Sequence, residues 1–174
     1  TADTAESYVN QKLAILKEVE ALLKSPKDTG KAIQSLIDER AALVKDIDQS
    51  NKEKAKDLKQ EMLAVKEQLG DINLIAFSGI FPDADAVKQL AFELKHEIAD
   101  LVLLIGAEIK GKPNLTVMLD DHLVTSKSLN AAELVRAMAK SIQGGGGGQP
   151  FYATAGGKNV EGIAESLTTG KALI

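Results

Sequence analysis

The sequence predicts an α/β protein in which a helical hairpin, coiled-coil-like in its apolar spacing, precedes a small globular domain with a single sheet flanked by helices. Residues 1–70 are rich in Lys, Glu, Leu and Ala and carry apolar residues at helical spacing. From residue 71 onwards, short apolar runs typical of buried strands alternate with helical patterns. This change of period predicts a helical hairpin subdomain over 1–70 and a globular α/β subdomain over 71–174.

Two helices are predicted in the first subdomain. The first follows Thr4, a residue type that caps helices, and it ends at Ser25-Pro26 because the residue before a proline is pushed out of the helical region. Asp28 or Thr29 then caps the second helix. A short polar turn between two helices predicts an antiparallel hairpin. The apolar stripe of the first helix consists of Val9, Leu13, Leu16 and Val19.

The course of the second helix has two interpretations. Residues 48–57 contain no large apolar side chain, so they form either a solvated section of one long helix or a tip at which the chain turns. Gly70 is expected to end the helix as its C-cap. Four later apolar residues have the 4-3-4 spacing of a heptad seam, which favours a dimer contact through this helix; they are Leu58, Met62, Val65 and Leu69.

The globular half is predicted to contain four strands and three helices. Asn130, with Glu133 three residues later, caps the second of these helices in a capping-box variant, and Asn159 caps the third. The segment from Lys110 to Asn114 has the composition of a hairpin turn. Apolar runs place the strands at residues 72–77, 101–106, 115–119 and 151–155, and helical patterns place the first two helices at 83–98 and 130–142.

The composition limits the chemistry of the chain. Its 174 residues include no Cys and two His, which excludes a disulfide framework and a Cys-based metal site. A chain without Cys fits a reducing compartment, and the expected location is the cytoplasm, with no membrane contact. Asp120-Asp121-His122 is interpreted as a strand end meeting a turn, since only Asp120 and His122 would share a strand face. Because the sequence has no phosphate-loop or nucleophile motif, no catalytic residue and no metal ligand is assigned.

Five consecutive glycines, Gly144–Gly148, are the most informative feature. Glycine loses more backbone freedom on ordering than any other residue, so neither a helix nor a strand favours such a run. We expect a loop inside the globular domain, whose N–H groups can approach a phosphate or a nucleic-acid backbone because no Cβ intervenes. The alternative is a flexible linker, but too few residues follow Gly148 to form a second core.

A net charge of −4 gives no general attraction to nucleic acid, so RNA binding has to depend on a local basic patch. Phe151 and Tyr152 are candidates for base stacking, although core packing is the better interpretation of Phe151. Lys127 is interpreted as a solvated charge only. The cations that would surround the glycine run and bind phosphates are Lys110, Lys112, Arg136, Lys140 and Lys158.

The segments Gly144 to Pro150 and Ala153 to Asn159 resemble the terminal segment of bacterial alanyl-tRNA synthetases. In that family a glycine run, a Pro and a Gly-Gly or Gly-Lys-Asn element close the polypeptide. Thr1 to Ala5 resembles the point at which the family's chain leaves the editing domain and enters a helical segment. The globular part also resembles the accessory domain of Asp-His-His phosphoesterases.

The resemblance implies a tRNA-binding C-terminal domain of a ligase, which binds the tRNA elbow and supports aminoacylation and editing by the parent enzyme. The implied partners are tRNA(Ala), the catalytic and editing domains of the same polypeptide, and a second copy in a homodimer. No cofactor is expected within these residues, whereas ATP with Mg, and Zn in the editing domain, would belong to the parent. The motif residues implied to bind RNA are Gly144, Gly145, Gly146, Gly147, Gly148, Gly156, Gly157, Lys158 and Asn159.

Two alternatives stay open beside the tRNA interpretation. The first is a fragment of an Asp-His-His-type phosphoesterase that acts on short oligonucleotides. Against it, these relatives commonly place a His soon after their glycines, where this chain has Gln149-Pro150, and the sequence has no Asp-His-His motif. The second alternative is a purely structural module whose helices dimerise the parent.

Overall fold

The computed structural model describes residues 2–24 and 26–174. Its helices are α1 (Ala2–Leu22), α2 (Thr29–Ala64), α3 (Ala84–Glu97), α4 (Asp121–Ser126), α5 (Ala131–Met138) and α6 (Ile163–Ala172), with a 3₁₀ turn (Val160–Gly162) before α6. Its strands are β1 (Glu67–Leu69), β2 (Ile72–Ile80), β3 (Leu101–Ile109), β4 (Lys112–Leu119), β5 (Gly145–Gly148) and β6 (Tyr152–Gly156). The predicted α/β fold is confirmed, because helices are followed by one sheet with helices packed against it.

The six strands form a mixed sheet in the order β1-β2-β3-β4-β6-β5. β2 and β3 are parallel, with α3 as the crossover between them, and all other neighbouring strands are antiparallel. A two-residue turn joins β3 to β4. Both of its residues, Lys110 (φ 52°) and Gly111 (φ 74°), have the positive φ that a type I′ turn requires. The predicted hairpin turn is therefore present, and β4 already begins at Lys112.

β3 lies in the interior of the sheet and is buried on both faces. Residues 101–107 are all buried, which explains why the sequence shows a continuous apolar run here rather than an alternation. On one face, Val102 and Leu104 belong to a core shared with α5 and α6. On the other face, Leu103 and Ile105 belong to a core shared with α3. The sheet is thus the middle layer of three.

The contacts between residues divide the chain into two units, Thr1–Ser50 and Asn51–Ile174. The first unit contains α1 and the first part of α2. Its predicted apolar stripe is present in the sequence but exposed, since Leu13 and Leu16 keep 50% and 47% of their accessible surface. No helix among the described residues combines the length and the apolarity that a membrane span needs.

The second helix is continuous through residues 48–57, but it ends before the predicted heptad seam does. Residues 48–57 belong to α2, so they form part of a helix rather than a turn. α2 ends at Ala64, however, and Leu69 lies in β1, so a heptad seam through Leu69 was wrong. Met62 is fully buried and belongs to the core between α3 and the sheet. The reason is that β1 pairs with β2, and this pairing ends the helix one turn earlier than the apolar spacing suggests.

Gly70 is also placed differently from the prediction. It occupies the turn between β1 and β2 with φ 59°, where it is no helix cap. The division by contacts places residues 51–70 in the unit that contains the sheet. The predicted boundary between the two subdomains at residue 70 stays a prediction.

Two predicted helix caps are present, and each side chain accepts a hydrogen bond from a backbone N–H two or three residues later in the chain. Asp28 Oδ1 accepts a hydrogen bond from the Lys31 N–H at 3.0 Å, and Asn130 Oδ1 accepts one from the Ala132 N–H at 2.9 Å. Thr4 is not the cap of α1, because the helix already begins at Ala2. The side chain of Thr4 and the whole of Ser25 lie outside the described part of the chain.

Truncating Met62 tests whether the end of α2 belongs to the core of the second unit. Met62→Ala should lower the free energy of unfolding of this unit by about 2–4 kcal/mol, because it leaves a cavity against the sheet. Leu63→Ala is the matched control, since Leu63 keeps 39% of its surface, and it should cost about 1 kcal/mol or less. Amide hydrogen exchange of β3 in both variants measures the difference, and equal protection would contradict the placement of Met62.

Candidate nucleic-acid interface

The glycine run forms a strand rather than the predicted loop. β5 consists of Gly145–Gly148 and pairs antiparallel with β6 at the edge of the sheet, with Gly145 opposite Gly156 and Gly148 opposite Ala153. The prediction of a loop was wrong. Glycine does lose much backbone entropy in a strand, but here the partner strand β6 lies so close that only glycine can pair with it.

The fit between β5 and β6 excludes side chains at alternate positions. A Cβ on Gly146 would overlap the carbonyl oxygen of Thr154 and lie 2.5 Å from the Cβ of Ala155. A Cβ on Gly144 or Gly148 would likewise meet the backbone of β6 or of the residue after it. Gly145, by contrast, faces open space, because no atom of the described residues lies within 4 Å of the position that its Cβ would take. The requirement for glycine is therefore strict at 144, 146 and 148 and relaxed at 145.

The hydrogen bonds show which backbone groups of β5 stay free of β6. Gln149 and Tyr152 exchange two backbone hydrogen bonds, with N···O distances of 2.8 and 3.2 Å. Because bonded pairs alternate along antiparallel strands, Gly145 and Gly147 are bonded to β6. The N–H and C=O groups of Gly146 and Gly148 consequently point away from β6, along the free edge of the sheet.

At the other end of the glycine run, the N–H groups are already engaged. The Gly144 N–H donates to the Ala139 carbonyl at 2.9 Å, and the Gly157 N–H donates to the Pro113 carbonyl at 3.1 Å. The Lys158 N–H donates to the Ile142 carbonyl at 2.9 Å. A phosphate beside these residues would therefore be bound by side chains, and the predicted contribution of glycine N–H groups is restricted to the outer edge of β5.

The segment Gly156-Gly157-Lys158-Asn159 is fixed to the turn that follows α5. The Ile142 carbonyl accepts hydrogen bonds from the N–H groups of both Lys158 and Asn159, at 2.9 and 3.0 Å. Asn159 Nδ2 donates to the Ser141 carbonyl at 3.1 Å. Asn159 begins the 3₁₀ turn before α6 but makes no side-chain cap there, so its predicted role as a helix cap is corrected: its amide binds a residue 18 positions earlier in the chain.

A groove of about 790 Å³ lies between the β3–β4 turn and this segment. Lys110 and Lys112 line it from the hairpin, and Lys158 lines it from the segment after β6. Gly144, Gly156 and Gly157 form backbone parts of its wall. No acidic side chain lines the groove among the described residues. The sheet therefore brings three lysines from two distant parts of the sequence around one concave surface.

Comparison with known families identifies the unit that carries this groove. The family model described as DHHA1 domain matches residues 71–174, which is more than half of the chain. The chain belongs to the DHHA1 domain family.

Individual relatives of the chain are similar along its whole length. It is 41% identical over all of its residues to an alanine–tRNA ligase of Cytophaga hutchinsonii and 43% identical to one of Christiangramia forsetii. It spans about a fifth of the length of these curated relatives, 20% in each case. The crystal structure of the C-Ala domain from Aquifex aeolicus alanyl-tRNA synthetase is 26% identical, with a TM-score of 0.53, and the match covers 59% of this chain and 91% of that one. The resemblance to the C-terminal domain of alanyl-tRNA synthetases is thereby confirmed.

The predicted RNA-binding residues of the DHHA1 unit, residues 71–174, fall into three sets. Lys110, Lys112, Lys158, Gly144, Gly156 and Gly157 line the groove. Gly145–Gly148 form β5, and Arg136 lies beside that strand, with Nη2 3.6 Å from the position that a Cβ on Gly147 would take. Lys140 is exposed in the turn after α5, and Asn159 fixes that turn; neither lines the groove.

Two groove residues were missed by the sequence analysis. Asn114 and Gln143 line the groove beside the lysines. Side chains alternate along a strand, so Lys112 and Asn114 on β4 share one face, and this spacing could have pointed to Asn114. Gln143 has φ 51° and lies in the turn before β5, and its position depends on contacts that no local pattern records.

The two aromatic candidates pack in the core of the DHHA1 unit. The rings of Tyr152 and Phe92 lie with centroids 5.5 Å apart, and the Lys95 ammonium lies 4.7 Å from the centroid of the Phe151 ring. Burial raises the pKa of the Tyr152 hydroxyl, and the nearby Asp85 carboxylate raises it further. Both residues are half-buried and neither lines the groove. Core packing, the preferred interpretation of Phe151, therefore holds for both.

The Asp120-Asp121-His122 segment has a structural role at the start of α4. Asp120 caps this helix and also accepts the Asp100 N–H at 2.9 Å, while Asp121 pairs with Lys95 at 2.9 Å. His122 Nδ1 lies 3.0 Å from Asp100 Oδ1. The described residues contain no group of three or more His, Cys, Asp or Glu side chains placed to hold a metal ion. β4 ends at Leu119 as interpreted, but the residues after it begin the helix α4 rather than a turn, so that part of the interpretation was wrong.

A pair of neighbouring glycines tests whether β5 requires the absence of side chains. Gly146→Ala should destabilise the DHHA1 unit by about 2–3 kcal/mol, because its Cβ overlaps β6 and the strands have to separate. Gly145→Ala should change stability by less than about 1 kcal/mol, because its Cβ enters open space. Thermal unfolding together with amide exchange of β6 distinguishes the two, and equal effects would show that β5 does not pair as described.

Proposed function

We propose that the chain is the tRNA-binding C-terminal part of an alanine–tRNA ligase and that its DHHA1 unit binds the elbow of tRNA(Ala) through the lysine-lined groove. The observation that carries this proposal is the convergence of Lys110, Lys112 and Lys158 on one concave surface. It is supported by the similarity to alanine–tRNA ligases over the full length of the chain.

Electrostatics favours an RNA backbone as the occupant of this surface. The chain carries a net charge of −4, so a polyanion is repelled by most of the molecule and attracted only where cations cluster. Three lysines without an acidic residue among the described lining residues form such a cluster. Lysine binds phosphate as a point charge on a flexible stem, which suits recognition of RNA by shape rather than by sequence.

In the parent enzyme, this unit would hold the tRNA while the catalytic and editing domains act on its acceptor end. Aminoacylation with ATP and Mg, and editing with Zn, would belong to those domains, and no residue of this chain is assigned to the chemistry. Self-association stays a prediction. The proposed dimer contact would have to use residues other than Met62, which is buried in the core of its own unit.

Substituting one groove lysine tests the proposal through the salt dependence of binding. Lys158→Ala should weaken binding of folded tRNA(Ala) and reduce the slope of log K against log[salt] by about 0.7–0.9, because one phosphate contact is lost. Lys110→Ala should act in the same way. Binding is measured over a range of NaCl concentrations by fluorescence anisotropy of labelled tRNA.

The matched control is Lys127→Ala. Lys127 is exposed at the end of α4 and does not line the groove, so its substitution should leave both the affinity and the slope unchanged. If the Lys158 and Lys110 variants bind like the parent chain while remaining folded, the groove is not the RNA surface. Cleavage of dinucleotides by the unsubstituted chain in the presence of Mn²⁺ would instead support the phosphoesterase alternative.

A further inference from the structure

The groove contains groups that a phosphate surface does not require. Beside the lysines, its lining includes the apolar residue Ile109 and the amides of Asn114 and Gln143. A phosphate is bound by cations and by polar donors, amides included, but an apolar residue contributes nothing to its binding. A nucleobase needs an apolar surface for its flat faces and an amide or hydroxyl for its polar edge. The mixed lining therefore corresponds to a whole nucleotide rather than to a backbone phosphate alone.

The size and shape of the groove favour one unstacked nucleotide. Its volume of about 790 Å³ falls within the range of small-molecule sites, which is about 300–1,000 Å³. A concavity of this size can hold a single nucleotide, which is a ligand of this class. On the β6 side, a Cβ on Gly156 would meet no atom of the described residues within 4 Å, so a flat base can approach the bare backbone there.

The two amides are placed to bind the edge of such a base. Asn114 is half-buried on β4, and its Oδ1 accepts a hydrogen bond from Thr116 Oγ1 at 3.4 Å. This contact orients the amide and leaves its NH₂ group as a donor. Gln143 is exposed beside Gly144 and offers both a donor and an acceptor. Asn and Gln are the side chains that pair with base edges through two hydrogen bonds.

We propose that the groove holds one unpaired nucleotide of the bound RNA, with its phosphates on Lys110, Lys112 and Lys158 and its base edge on Asn114 and Gln143. The base lies against the apolar residue Ile109. This assignment rests on the proposed function for the identity of the RNA, but the recognition of a nucleotide by the groove can be measured without tRNA.

The first experiment titrates the ¹⁵N-labelled 174-residue chain with AMP, CMP, GMP and UMP, and separately with inorganic phosphate. Nucleotides should shift the side-chain amide signals of Asn114 and Gln143, whereas phosphate should shift only backbone signals near the lysines. Equal shifts with phosphate, or nucleotide shifts that map outside the groove, would overturn the assignment. Addition of folded tRNA should displace AMP; if AMP stays bound, the ligand is a free nucleotide and the assignment to RNA is wrong.

The second experiment measures tRNA binding by two variants that keep all lysines. Gln143→Met and Asn114→Ala should each weaken binding about three- to tenfold with an unchanged salt slope, because each removes neutral hydrogen bonds and no charge. Gln89→Met is the matched control, since Gln89 is an exposed glutamine on α3 that does not line the groove. Thermal unfolding verifies that each variant is folded.

The outcomes separate this inference from the proposed function. If Lys158→Ala weakens tRNA binding but Gln143→Met and Asn114→Ala do not, the groove binds backbone only, and the nucleotide assignment fails while the proposed function stands. If the chain binds no tRNA but the four nucleotides shift the two amides, the proposed function fails and the nucleotide site stands. Loss of both signals overturns both.

Discussion

The organisation of the DHHA1 unit depends on the close approach of β5 to β6, where every second residue of β5 has no room for a Cβ. This approach adds the last strand to the sheet and fixes the position of the turn that connects α5 to Gly144. The carbonyls of Ile142 and Ser141 in that turn accept three hydrogen bonds from Lys158 and Asn159. The wall of the groove is therefore built from backbone, and the side chain that this segment extends into it is a lysine.

A strand of glycines needs support from outside itself. Each glycine costs about 0.5–1 kcal/mol more than alanine to order, and it offers no cross-strand side-chain pair in return. The support comes from both ends of the strand. At one end, Gln149 and Tyr152 exchange two hydrogen bonds; at the other, Gly144 is bonded to the end of α5, whose Leu134, Val135 and Met138 are buried in the core. The rigid elements on either side thus hold a segment that has little intrinsic preference for a strand.

The sequence predicted those features whose causes lie within a few residues. The apolar run of β3, the cap of α5 at Asn130 and the turn at Lys110-Gly111 are local, and each was found. The strand at Gly145–Gly148 and the role of Asn159 were missed because their causes are pairing with β6 and a carbonyl 18 residues away. Met62 was assigned to a surface seam for the same reason: apolar spacing marks a buried face, but it does not identify what covers that face. Within the groove, the lysines were predicted from their charge, whereas Asn114 and Gln143 carry no charge that would distinguish them.

The groove exists because of one register in the sheet. β4 pairs with β6 so that Asn114 lies opposite Gly156, and the Pro113 carbonyl accepts the Gly157 N–H at 3.1 Å. These contacts bring Lys110 and Lys112 next to Lys158, although more than 40 residues separate them along the chain. A slip of one residue would turn Lys112 and Asn114 to the opposite face of β4, because side chains alternate along a strand. The glycines of β5 do not prevent such a slip, because a Gly-rich strand specifies its pairing register weakly. The two-residue turn at Lys110-Gly111 and the hydrogen bond from the Gly157 N–H to the Pro113 carbonyl therefore bring the charged and amide side chains of the groove together.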